Sequence, residues 1–140
     1  MVKELFPIAP GPAEDARRSL PLYRDIAWDR ERNAPRWQDG EPVFAEGLEA
    51  VLTWAVNAVG TARYRWEQFS PDYGCSLAAL TGQPYGEDTK LAEAERYVRE
   101  ALMVSPYITG VRVSGTAFSG GRFSMDLKLE TIYGEVSFDV

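Results

Sequence analysis

The sequence predicts an α+β fold: central amphipathic helices packed on a C-terminal antiparallel β-sheet, with an extended N-terminal arm. Three observations predict it. Between Arg122 and Glu130, the apolar residues Phe123, Met125, Leu127 and Leu129 alternate with polar ones, the period of a strand with one buried face. In the middle of the chain, Leu48, Val51, Leu52, Ala55 and Val59 recur at helical spacing, and so do Leu91, Ala94, Val98, Ala101 and Leu102. The turn residues Ser119-Gly120-Gly121 then separate two strand-like runs near the end.

In chain order, residues 1–20 form the arm. Pro7, Pro10 and Pro12 fix φ and lack a donor, so the segment is extended, and Leu5, Phe6 and Ile8 make it adhesive. It reads either as a frayed terminus or as an arm that orders on a neighbouring subunit. Residues 21–140 read as a single α+β domain. Tyr23–Trp28 and Pro42–Phe44 look like short strands, with Asn33, Pro35, Asp39 and Gly40 turning the chain between them. A helix follows over about Glu46–Val59, with Gly60 as its left-handed stop.

Thr61–Trp66 is expected to be extended, with Ala62, Tyr64 and Trp66 on one face and Arg63 and Arg65 on the other. After the turn Phe69–Gly74 comes a short helix, Ser76–Thr81. Pro84-Tyr85-Gly86 is a loop, and Asp88 is placed to cap a helix that runs to about Val104. On its wet face Glu93–Arg96 and Glu95–Arg99 are i,i+3 and i,i+4 pairs, each adding ~0.2–0.5 kcal/mol. Pro106 excludes a continuation of the helix. Val111, Val113 and Ala117 mark the first strand of the final sheet. Val136, Phe138 and Val140 mark the last, after Tyr133-Gly134.

Composition narrows the function. Apolar residues make up 45% and charged residues 26%, the balance of a globular chain. The net charge is −6 with acids and bases interspersed, so no basic stripe points to nucleic acid. No apolar run or basic leader suggests a membrane span or signal peptide. The chain has no histidine, which removes Ser-His-Asp and Cys-His catalysis and most catalytic zinc sites. The one cysteine, Cys75, has no partner for a disulfide and reads as a small buried side chain. No cofactor or metal is expected.

Two constellations carry chemistry. Glu67 and Asp72 lie among Trp66, Phe69 and Tyr73, so an apolar wall could raise one carboxyl pKa, as glycoside hydrolysis requires; nothing in the spacing fixes them about a cleft. Arg63, Tyr64, Arg65 and Trp66 combine residue types enriched at protein interfaces. They fit equally a strand with Tyr64 and Trp66 in the core and snorkelling arginines.

An ordered series of residues adds a resemblance. It runs Glu49-Ala50, Trp54, Tyr64, Asp72-Tyr73-Gly74, Leu77 and Leu80-Thr81-Gly82. It continues through Glu95, Arg99-Glu100-Ala101-Leu102, Pro106-Tyr107-Ile108 and Thr131-Ile132-Tyr133-Gly134-Glu135. By this series the chain resembles the baseplate wedge proteins of contractile phage tails, also called sheath initiators, a family with relatives in tailocins and type VI secretion systems, and the resemblance covers about Leu5 to Phe138. Some of these have been labelled lysozyme-like, which makes a peptidoglycan hydrolase the alternative reading. Many carry Glu-Pro-Arg after the long helix; here Ser105-Pro106-Tyr107 stands instead, which resembles the phage and prophage branch of Gram-positive hosts.

The resemblance implies a non-enzymatic subunit of a six-fold baseplate. Its partners would be wedge proteins, hub and tube proteins and the tail sheath protein, with no nucleic acid and no membrane span. Its place would be the virion tail baseplate, with assembly in the host cytoplasm. It further implies that a sheet edge over Thr131–Val140, with Arg122–Glu130 as inner neighbour, accepts sheath arms. The sheath-interface residues are then Arg122, Lys128, Glu130, Thr131, Tyr133, Glu135, Val136, Phe138 and Val140, with Arg112 helping to set register. The baseplate contacts are Arg63, Tyr64, Arg65, Trp66, Asp72, Tyr73, Gly74, Pro106, Tyr107 and Ile108, with Tyr107 as an aromatic anchor in place of the missing ion pair.

Overall fold

A computed structural model describes residues 20–80 and 82–140, so the expected arm over 1–20 lies outside the described residues except for Leu20. The described residues are α+β, with two α-helices and several antiparallel sheets. It opens with a run of short strands: β1 (Arg24–Ile26), β2 (Trp28–Asp29), β3 (Ala34–Pro35), β4 (Trp37–Gln38), β5 (Glu41–Pro42) and β6 (Phe44–Glu46). β1 pairs with β6, β2 with β3 and β4 with β5, all antiparallel. The two strands read from the sequence are therefore the outer rungs of a longer folded ribbon. Asp39-Gly40, both at positive φ, form the two-residue turn between β4 and β5. β3 and β4 were legible only as turn chemistry, because two-residue strands carry no periodicity.

Helix α1 spans Leu48–Gly60, starting at the first residue of its apolar stripe and two residues after the expected Glu46. Glu46 is held in β6 opposite Arg24, and Gly47 (φ +65) makes the left-handed break between strand and helix. At the other end Gly60 stays helical, and the chain leaves through Thr61 in an extended conformation, not through a left-handed glycine. A 3₁₀ turn, Leu77–Leu80, stands where a short helix is read. Helix α2 runs Glu87–Met103. Gly86 is its N-cap and Asp88 lies inside its first turn, where it faces the positive end of the helix dipole instead of capping it. Glu93 pairs with Arg96 at 2.6 Å, but Glu95 accepts the Thr116 hydroxyl at 2.7 Å in place of an Arg99 ion pair.

The C-terminal sheet is a meander of β7 (Ile108–Ser119), β8 (Arg122–Thr131) and β9 (Gly134–Asp139), with β8 in the middle. Met125, Leu127, Leu129 and Phe138 face inward onto Val51, Ala55, Val98, Ala101 and Leu102 of the helices. α2 packs under β7 and α1 reaches β9. α1 also buries Ala50 against Ala27 and Ala45 of the ribbon, so it is covered on two sides. No helix among the described residues is long and apolar enough to cross a membrane.

Candidate functional site

The hydrogen bonds of the sheet show which backbone groups of its outer strands have no strand partner among the described residues. Met125 and Val140 exchange both backbone bonds, at 3.0 and 3.1 Å. Antiparallel pairing alternates bonded and non-bonded pairs, so Leu127–Phe138, Leu129–Val136 and Thr131–Gly134 are also bonded. The N–H and C=O groups of Glu135, Ser137 and Asp139 therefore point away from β8. Among the described residues β9 pairs with β8 alone. By the same alternation, β8 turns the backbone groups of its even-numbered residues toward β7, leaving those of Val111 and Val113 to point out from the opposite edge while their side chains pack on the core.

These edges differ. The register of β9 is continuous from Gly134 to Asp139, whereas β7 is longer but broken between Ile108 and Gly110 and again between Ser114 and Ala117. Such irregularities twist an edge away from pairing. On the outer face of the sheet, Arg112 and Lys128 form a cationic row. Arg112 binds Glu130 and Lys128 binds Glu135, each at 2.8 Å. The Lys128 ammonium bonded to it holds the Glu135 carboxyl below the usual carboxylate range.

The expected sheath-edge residues divide by role. Glu135 lies on the open edge, and Lys128 and Glu130 stand on the neighbouring strand with charges paired. Val136 and Phe138 point into the core. Thr131 is buried, donating its hydroxyl to the Gly134 carbonyl and accepting the Tyr133 N–H, so it shapes the β8–β9 turn. Tyr133 is half-buried, and its hydroxyl accepts the Tyr23 N–H at 2.9 Å. Arg122 pairs with Ser119 at the far hairpin, past the end of β9, and does not adjoin that edge. Val140 is bonded back to Met125. Sequence reading missed Ser137, Asp139 and Arg30. Ser137 and Asp139 were legible as the polar partners of the Val136, Phe138, Val140 alternation; Arg30 had no signal.

The expected baseplate-contact residues fall into two places. The first is a loop from Thr61 to Cys75, closed where Cys75 donates to the Thr61 carbonyl at 2.8 Å and Arg63 to the Cys75 carbonyl at 3.1 Å. It is not a strand beyond the single Ala62–Cys75 bridge. Arg63 turns inward: its Nε donates to the Pro71 carbonyl at 2.7 Å, and its guanidinium reaches Glu100 at 3.4 Å and Asp72 at 3.7 Å. With that side chain inside, Tyr64 is forced out at φ +68 and is 72% exposed, and Trp66 and Phe69 are exposed as well. Tyr64 and Trp66 are thus surface groups, which goes against the second of their two readings, as the core face of a strand. Arg65 lies over the Trp66 ring. Tyr73 packs on Phe69 and Trp54, and burial raises its pKa. Gly74 (φ +104) sits against the Arg63 backbone, where a Cβ would come within 2.9 Å of its Cα. Cys75 is buried, and burial pushes its thiol pKa up.

The second place is Pro106-Tyr107-Ile108. Pro106 is exposed, but Ile108 is in the core and Tyr107 is only 8% exposed. The Tyr107 ring lies between Tyr23 and Tyr133, and its hydroxyl donates to the Pro21 carbonyl at 2.8 Å. It anchors the chain's own Pro21–Tyr23 segment, so its ring is not presented as a surface anchor. Burial, and next the neighbouring Asp25, raise the Tyr23 phenol well above its ordinary range.

Glu67 lies in the exposed loop and Asp72 is held toward Arg63. A cleft of about 450 Å³ opens elsewhere, between α1 and the β2–β3 turn, lined by Asp29, Glu31 and Glu49 together with Trp28, Leu52 and Val56. A family model described as contractile injection system sheath initiator matches residues 24–134. No curated protein matches the chain.

Proposed function

The chain belongs to the contractile injection system sheath initiator family, and from that premise we propose that it starts sheath assembly by accepting a sheath strand along the open edge of β9. The observation that carries this reading is the outward set of backbone groups at Glu135 and Ser137, on a strand of continuous register. Each bond formed there adds about 1 kcal/mol net, so a single strand binds weakly. Copies arranged around a six-fold baseplate turn weak edges into a template through multivalency. β7 offers a longer edge, but its two irregularities count against it.

In this reading the subunit joins wedge proteins around the hub and tube. The Tyr64, Arg65, Trp66 and Phe69 surface is its leading wedge contact, with Pro106 at a second place. It sits in the tail baseplate of the particle and passes through the host cytoplasm during assembly. Ser105-Pro106-Tyr107 supports the Gram-positive phage and prophage branch. The role is non-catalytic, in keeping with the structural family and the exposed setting of Glu67.

Ser137→Pro tests the edge. The Ser137 N–H points outward, so proline removes a donor from the open edge and none from the β8 pairing. The variant is expected to keep a near-wild-type melting temperature while baseplates carrying it fail to seed sheath in electron micrographs. Full-length sheath on Ser137→Pro baseplates would exclude β9. Deleting Thr131–Val140 would be less informative, because it removes Phe138 and Thr131 from the interior.

A further inference from the structure

The turn between β2 and β3 reaches the far end of the β9 edge. Arg30 Nη2 donates to the Asp139 carbonyl at 3.2 Å and lies 3.4 Å from the Asp139 carboxylate. Its guanidinium carbon is 5.8 Å from the centre of the Phe138 ring. That carbonyl is one of the outward backbone groups of β9. An arriving strand that pairs along Glu135 and Ser137 meets two positions with no strand partner among the described residues and then a third already held by a guanidinium.

Arg30 also lines the cleft against α1, where Asp29, Glu31 and Glu49 supply carboxylates. A guanidinium displaced from Asp139 therefore has carboxylates within its own cleft, of which Glu49 already lies 3.8 Å from Arg36 and Asp29 3.8 Å from Arg32. The contact it leaves is weak by construction, since the Asp139 side chain is 81% exposed and that of Arg30 42%. Exposed ion pairs of this kind are screened by salt and yield readily to a competitor.

We propose that Arg30 is a displaceable cap on the β9 edge: it limits strand addition to Glu135 and Ser137 until an arriving N–H takes its place at the Asp139 carbonyl. The proposal rests on β9 as the strand-accepting edge. A capped edge is also shielded from pairing with a second copy of this chain, the hazard that any open strand carries. Arg30 is thus a specificity residue, selecting strands long enough to reach Asp139 in register.

The test uses the full chain with Arg30→Ala and Arg30→Lys. The first readout needs no partner. The Val140 amide shares a peptide unit with the Asp139 carbonyl and donates to Met125 at 3.0 Å. Its hydrogen exchange is expected to quicken about fivefold in Arg30→Ala, the upper worth of an exposed ion pair, with Leu127 and Leu129 unchanged. The second readout is binding of the sheath protein purified from the same particle, expected to tighten about fivefold in Arg30→Ala, with Arg30→Lys between. The gap should narrow as salt rises, because salt weakens the wild-type cap.

Unchanged Val140 exchange overturns the cap, whatever the sheath does. Faster exchange with equal or weaker sheath binding overturns the gate, since Arg30 would then contact the sheath and not yield to it. Faster exchange with no sheath binding by wild type or variant counts against the sheath reading of β9 and leaves the cap standing as edge protection.

Discussion

Tyr64 holds a left-handed backbone (φ +68) that costs a non-glycine residue about 1–2 kcal/mol, and its ring is spent on solvent. The cause is its neighbour. Arg63 is the side chain that ties the Thr61–Cys75 loop together, and the backbone that turns Arg63 inward throws Tyr64 out. Asparagine tolerates this conformation better than tyrosine. Tyr64→Asn is therefore expected to raise stability by about 0.5–1 kcal/mol in urea unfolding, and to weaken attachment to baseplates if the exposed aromatic surface is the wedge contact. The arginine-aromatic cluster itself was legible in the sequence. Which arginine turns inward was not, because one residue of left-handed backbone inverts the alternation that strand spacing assumes.

Among the elements, α1 shows what a periodic stripe can and cannot say. Val51, Ala55 and Val59 are buried as their spacing predicts, with Ala58 beside Val51, but so are Ala50 and Thr53, on another side of the helix. The second buried face meets Ala27 and Ala45 of the β-ribbon, and alanine at all three positions lets helix and ribbon approach closely. Ala50→Leu puts a branched side chain into this contact and is expected to destabilise the protein by about 1–3 kcal/mol. Faster amide exchange in β1 and β6 than in β8 would locate the damage at the ribbon; damage spread evenly would refute a local fit. Small residues are invisible to a hydrophobic stripe, so this face was not readable beforehand. The β7–β8–β9 meander was readable, because alternation over Phe123–Glu130 and the glycine turn are local signals.

Across the whole molecule, one tyrosine cluster joins the two ends of the described chain. Tyr133, beside the β8–β9 turn, accepts the Tyr23 N–H, and Tyr107 donates to the Pro21 carbonyl. Pro21–Tyr23 is thereby fastened to the same sheet whose last strand has the open edge. Tyr133→Phe leaves the Tyr23 N–H without its acceptor and is expected to cost about 1–2 kcal/mol. The readout is thermal unfolding together with exchange at the Tyr23 amide. An unchanged melting temperature with an unprotected Tyr23 would mean that the clasp positions the segment without stabilising the fold. Nothing in the spacing of Tyr23, Tyr107 and Tyr133 announces this cluster, since its members are 26 to 110 residues apart.

By itself, the sequence determined the α+β class, the two helices, the C-terminal meander and, through an ordered series of residues spread along the chain, the sheath initiator family. These are carried by periodicity, by turn residues and by the order of the matched residues, all of which are properties of the chain as written. Only the tertiary structure decided which backbone groups of β9 face outward, that Arg30 reaches one of them, that Tyr107 is turned inward and that Tyr64 is turned out. Each of those depends on contacts between residues distant in sequence or on the sign of a single φ angle, and neither leaves a period in the chain.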